Sequence, residues 1–108
     1  MKTSLILTGS LVLASSFSVF GADGKALWDA NCAQCHGKSG AGDTKMGQQV
    51  GAMDLTDAKK QSSFTDAQAT AAIKNGIKEG GKTKMKAFPK LSDEDVKALV
   101  AYTRTLKK

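Results

Sequence analysis

Cysteine, histidine and proline are scarce in this chain, with two cysteines, one histidine and one proline in 108 residues. Two cysteines exclude a framework of several disulfides. With a single histidine they also exclude a Cys₂His₂ or Cys₄ zinc site built from one copy of the chain. A Ser-His-Asp triad has no motif behind it. At this length there is room for one domain, so a two-domain enzyme is excluded as well. No internal repeat or low-complexity segment is present. Any chemistry performed here must therefore be simple or come from a bound group.

The first residues do not read as part of a working fold. Met1-Lys2 is a short positive start, and Ser4 to Phe20 is an uncharged run rich in Leu, Ile, Val, Ala and Ser. Val19 and Gly21 stand three before and one before a cut of the kind a signal peptidase makes. The pattern predicts a secretory signal over residues 1–21, removed after Gly21 or Ala22. An uncleaved anchor fits less well, because the run is interrupted by Ser and Thr and is short against a bilayer span of ~20 apolar residues. No cysteine follows the cut, which argues against a lipoprotein. The expected mature chain is residues 22–108, exported, soluble and periplasmic.

Without Lys2 the balance is fifteen Lys and Arg against ten Asp and Glu. A domain this small buries too little apolar surface to be secure without a staple. Exported domains commonly use disulfides, but here the two cysteines are only three apart, and so small a ring constrains little. The staple must be something else.

Cys32-Ala33-Gln34-Cys35-His36 supplies it. C-x-x-C-H is the attachment signature of a covalent haem. On a helical turn, two cysteines three apart point to one side, where their sulfurs can add to the two vinyl groups of the porphyrin. His36 is then held beneath the iron as proximal ligand. A thioredoxin-like reading of the two cysteines would need a βαβ context, and the sequence offers none. The export signal agrees with haem attachment outside the inner membrane. The expectation is one covalent haem c, without which the chain is largely unfolded.

A six-coordinate haem needs a second axial ligand, and no second histidine exists. Met46 and Met53 follow His36 within the glycine-rich loop, whereas Met85 lies 49 residues beyond it. That distance is enough for a loop and a helix to carry the chain to the other face of the ring. Met85 also stands in Gly80–Pro89, an extended stretch without helical periodicity, where core filling explains a methionine less readily. Met85 is the expected ligand, with Met53 as fallback.

Three helices are predicted around these groups. The first runs from about Gly24 to Cys35. The second starts with the capping box Thr65-Asp66-Ala67-Gln68, buries Ala69, Ala72, Ile73 and Ile77, and ends between Gly76 and Gly80. The third starts at Ser92, followed by Asp93, Glu94 and Asp95, acids that favour the positive end of a helix dipole. Its Val96, Leu99, Val100, Thr103 and Leu106 recur at helical spacing. Residues 37–64 read mostly as loop, with a short helix around Lys45–Val50. No run alternates like a strand.

This arrangement resembles the small class I monohaem cytochromes c of bacteria and chloroplasts over essentially all of residues 22–108. The resemblance implies an all-α fold, three main helices and a glycine-rich loop wrapped around a covalent haem. It matches Gly24 and Trp28 to the first helix of the family, and Leu99 and Tyr102 to the C-terminal helix that crosses it. Met85-Lys86-Ala87-Phe88 resembles the family's ligand segment, often Met-Pro-Ala-Phe, with Lys86 in place of the proline. In the family a proline shortly after the haem motif also lends its carbonyl to the proximal histidine. Here Pro89 is the only proline, so another carbonyl, between Gly42 and Gly47, is expected to orient the His36 ring.

With both axial positions filled, such a haem has no open place for a substrate and moves one electron. A thioether favours Fe(II), so the potential is expected above that of a bis-His haem. Lys78, Lys82, Lys84, Lys86 and Lys90 surround Met85 against Glu79 alone. They form either a solvated face or a positive rim that steers acidic partners. Nucleic acid is not an expected partner, since the lysines are not interleaved with aromatics. The chain reads as a monomeric, non-enzymatic electron carrier. Its rivals are a haem protein with a labile Met85 that binds peroxide or small gases, and a sensing or structural module that the haem stabilises.

Overall fold

The computed structural model describes residues 22–108 together with Gly9. The rest of the expected signal segment, residues 1–21, lies outside the described residues. Among the described residues eight elements follow in chain order: α1 (Gly24–Asn31), α2 (Ala33–His36), α3 (Lys45–Val50), α4 (Ala58–Gln61), α5 (Asp66–Asn75), β1 (Ile77–Glu79), β2 (Lys82–Met85) and α6 (Asp93–Thr105).

Three helices of eight or more residues, α1, α5 and α6, carry the fold, and each starts where a side chain can accept from orphan amides. Asp23 caps α1 by accepting from the amides of Lys25 and Ala26. Thr65 and Gln68 close the expected capping box on α5, and Ser92 and Asp95 close a second one on α6. The first helix expected from the sequence is split at Cys32, so Cys35 and His36 lie on the separate short helix α2. α3 forms over the predicted Lys45–Val50, held by Thr44 at one end and by Gly51 in the left-handed region at the other.

The core is where α1, α5 and α6 meet. Trp28, Val96 and Leu99 are 1–2% exposed, and Cys32, Leu55, Ile73 and Val100 join them. The crossing of α1 over α6 depends on a missing side chain. A Cβ on Gly24 would lie 2.7 Å from the Ala98 carbonyl oxygen and 3.0 Å from Tyr102 Cβ. The Trp28 ring fills the adjoining space, 5.7 Å from Tyr102 between centroids, and its indole Nε1–H donates to the Gly37 carbonyl at 3.0 Å.

A second tie joins α4 to the end of α6. Gln61 is buried, and its amide donates to the carbonyls of Leu55 (2.7 Å) and Thr103 (2.8 Å). Arg104 donates to the Gln61 side chain, to the Phe64 carbonyl and to Asp66, with its guanidinium 4.3 Å over the Phe64 ring. Burying Gln61 costs little because both ends of its amide find partners.

Residues 77–85 depart from the all-helical expectation. β1 and β2 pair antiparallel, with Ile77 opposite Met85 and Glu79 opposite Lys82. Gly80 and Gly81 turn between them at φ +56° and +78°. Two consecutive positive φ values make the tight turn that matches strand twist, and Gly-Gly between two short runs is its sequence mark. Ile77 was expected on the buried face of the second helix. Gly76 ends α5 at φ +74°, so Ile77 instead opens β1, 38% exposed.

Candidate haem site

Cys32, Cys35 and His36 are set by the α1–α2 junction. The Cys32 carbonyl accepts from the amides of Cys35 (3.3 Å) and His36 (3.0 Å), which winds the segment into one turn. Cys32 is buried and Cys35 half-buried, and the two are not joined in a disulfide. Burial pushes the Cys32 thiol up to about 11, and the neighbouring Cys35 adds to the rise. A dithiol working in disulfide exchange needs the opposite shift, toward thiolate at neutral pH. The environment of Cys32 therefore argues against the redox-dithiol reading.

The His36 ring lies 5.6 Å from the Trp28 ring between centroids, tilted by 38°. Its Nδ1–H donates to the Met53 carbonyl at 3.2 Å, which leaves Nε2 at the far corner of the imidazole. This corrects the expectation that a carbonyl between Gly42 and Gly47 orients the ring. The Gly42 amide donates to the His36 carbonyl at 2.7 Å, so that loop holds the backbone of the histidine and Met53 holds its ring. Burial keeps the His36 pKa below the ordinary histidine value, opposed by the bond to Met53. The neutral imidazole, the form that binds a metal, is thereby favoured at neutral pH.

Met85 reaches the same place from the other end of the chain. The pairing of Ile77 with Met85 aligns it, and the Phe88 amide donates to the Ile73 carbonyl at 2.8 Å just beyond it. Gly76 packs closely against this segment, since a Cβ there would lie 2.6 Å from the Met85 carbonyl oxygen.

Between these elements is an apolar cavity of about 220 Å³, bounded by Trp28, Leu55, Phe64, Ala69, Ile73 and Leu99 among others. It adjoins a crevice of about 420 Å³ that reaches Cys35, Met46, Val50, Lys84 and Phe88. Cys32, His36, Met53, Ile77 and Met85 line both. Two cysteines, one histidine and the methionines Met53 and Met85 thus border this cavity and the crevice beside it, with Cys35 on the crevice alone. That donor set and that lining fit a covalently attached haem. Among the described residues no group of three or more His, Cys, Asp or Glu forms a separate metal site.

The cytochrome c family model matches residues 21–107. The chain belongs to the cytochrome c family, as a monohaem class I member. It carries one covalent haem c, with Cys32 and Cys35 as the C-x-x-C pair. The fold is the mostly helical cytochrome c fold. Over 84 residues the chain is 38% identical to the cbb3-type cytochrome c oxidase subunit FixP of Azorhizobium caulinodans, covering 77% of this chain and 26% of that protein. It therefore spans about a quarter of that relative's length. Among solved structures it is similar to the KustC0563 c-type cytochrome, with a TM-score of 0.67 and 34% identity, over 80% of this chain and 99% of that one.

Sequence reasoning did not find Met53 as the partner of His36, because a backbone carbonyl leaves no mark on residue identity. It also passed over the Gly80-Gly81 turn, whose signal was present. No helix among the described residues is long and apolar enough to cross a membrane.

Proposed function

We propose that the protein is a periplasmic, diffusible one-electron carrier whose haem iron is held by His36 Nε2 and Met85 Sδ. The observation that supports this most is that His36, from α2, and Met85, from β2, line the same apolar hollow although 49 residues separate them in the chain. Met53, the fallback ligand, has its carbonyl on Nδ1, the corner of the imidazole away from Nε2. Its backbone is thus committed to the proximal histidine, and Met85 is the better second ligand.

When bound, the group supplies a reversible one-electron change at iron. The chain's part is to hold it with little reorganisation. The Met53 carbonyl orients the imidazole, and the Ile77–Met85 pairing places the backbone of Met85. The apolar lining disfavours the extra charge of the ferric state, and a thioether favours Fe(II), so both raise the potential. With His36 and Met85 both holding the iron, peroxide or a gas would have no place to bind, which would separate a carrier from a haem enzyme.

Lys78, Lys82, Lys86 and Lys90 are exposed and Lys84 half-buried, and Lys84 and Lys86 border the crevice itself. This positive rim suits redox proteins with acidic docking patches, met by a monomer in solution. The likeness to an oxidase subunit supports respiratory electron transfer as the setting.

The absorption spectrum of the oxidised protein tests the ligands. A weak far-red methionine–ferric band is expected, lost in Met85→Ala and kept in Met53→Ala. A high-spin ferric spectrum in the unmodified protein would overturn both the ligation and the carrier reading.

A further inference from the structure

One hydroxyl joins the haem-attachment turn to the helix that leads to the partner of His36. Thr44 Oγ1–H is shared between the carbonyls of Gln34 and Cys35, each at 2.8 Å, and the same oxygen accepts from the Gly47 amide at 2.9 Å. The Gln34 and Cys35 carbonyls belong to the end of α2, where no intrahelical amide is available to them. The Gly47 amide is one of the orphan donors at the start of α3. A single side chain thus satisfies unpaired groups of both helices.

The two helices are also in direct backbone contact, because Gly47 is buried against the Cys35 carbonyl. α3 ends at Val50, three residues before Met53, whose carbonyl receives the His36 Nδ1–H. The path from Thr44 to the imidazole therefore runs along both elements it joins. One branch passes through Cys35 to the backbone of His36, and the other through α3 to Met53.

We propose that Thr44 is a positioning residue for the proximal histidine, fixing the Nδ1–H···O bond from His36 to Met53 by clamping α2 onto α3. A firm bond at Nδ1 makes the imidazole a more electron-rich ligand, which stabilises the ferric state and lowers the potential. Losing the clamp lets the turn and α3 move apart, weakens that bond and raises the potential. This rests on the reading of His36 and Met85 as the iron ligands, which the absorption spectrum tests separately.

The experiment uses the haem-loaded protein in its reduced, diamagnetic form and follows the exchange of two ring protons by NMR. The His36 Nδ1–H reports the clamp. The Trp28 Nε1–H, bonded to Gly37, reports general loosening of the fold. Thr44→Val removes the hydroxyl and keeps the shape. Thr44→Asp keeps an acceptor for the Gly47 amide, so α3 stays capped, but it has no proton for the two carbonyls. Thr44→Ser restores both functions.

His36 Nδ1–H exchange is expected to speed up roughly tenfold in Thr44→Val and in Thr44→Asp, about the loss of one hydrogen bond's net contribution. Thr44→Ser should stay within about twofold of the unmodified rate, and the Trp28 proton should hardly change in any variant. Thr44→Val is also expected to show a more positive potential, with the Ser variant near the original. If Thr44→Val does not load haem, the Asp variant decides, since its helix cap is intact. Unchanged His36 exchange in the Asp variant, equal acceleration of the Trp28 proton, or failure of serine to rescue would each overturn the assignment. A potential that stays fixed while His36 exchange accelerates would overturn the His36–iron link, not the clamp.

Discussion

Gly47 rests its bare α-carbon on the carbonyl oxygen of Cys35, so closely that a Cβ there would overlap it. The obstacle is backbone on both sides, so no rotamer change relieves it. Gly47→Ala is expected to cost about 3 kcal/mol or more, the upper end of overpacking, and to lower the yield of haem-loaded protein. Denaturant unfolding and the haem absorbance of the purified protein measure the two effects. A variant as stable as the original would mean that α3 does not need this contact.

The α1–α6 crossing is a second place where a glycine sets the distance between elements. Gly24→Val is expected to destabilise by roughly 1–3 kcal/mol through overpacking against Ala98 and Tyr102, with Gly24→Ala between it and the original. Thermal unfolding followed at the haem band checks the order of the three proteins.

Trp28 ties the core to the loop after the haem motif. Trp28→Phe loses the indole donor to Gly37 and leaves a smaller ring in a nearly sealed site. The Gly37 carbonyl retains the Gly40 amide at 3.1 Å, so it is not orphaned. The expected cost is therefore moderate, about 1–3 kcal/mol from one lost hydrogen bond and a partial cavity. The far-red methionine band should survive, because His36 and Met85 are held by other contacts. Its disappearance would show that Trp28 also sets the ligand geometry.

The lysine rim has a kinetic signature. Lys84→Glu and Lys86→Glu together are expected to slow electron transfer to an acidic partner about tenfold or more at low salt, and to flatten the salt dependence. Lys59→Glu with Lys60→Glu, on α4 and away from the crevice lining, makes the same charge change and should have much less effect. Stopped-flow oxidation over a range of ionic strength separates the two pairs. Equal effects would reduce the rim to net charge.

The caps and the haem-attachment motif were legible in the chain because they are local. Thr65 with Gln68, and Ser92 with Asp95, place two helix starts, and each box is completed within four residues. Cys32, Cys35 and His36 share one turn, so their spacing already states which side they face. The apolar positions of α6 predicted the buried face on which Val96, Leu99 and Val100 lie. The hairpin was missed because its strands are three and four residues long and mostly exposed, leaving no alternation to read. Ile77 went astray for a related reason: helical spacing continued through Gly76, but the backbone did not.

The scarce residues thus divide the question. By itself the sequence determined that a haem is attached, since two cysteines and one histidine stand in a single C-x-x-C-H turn. It also determined, through the caps and the 3.6-residue period, which segments are helices. Only the tertiary structure decided what holds the histidine. The one proline is far from His36 in the chain, and the ring is oriented instead by the carbonyl of Met53, with Thr44 joining the helices between them. Every residue except proline carries the same amide, and every residue carries the same carbonyl. Which of them meets His36 Nδ1 depends on how α2 and α3 pack, and packing is a property of the fold rather than of any one letter in the chain.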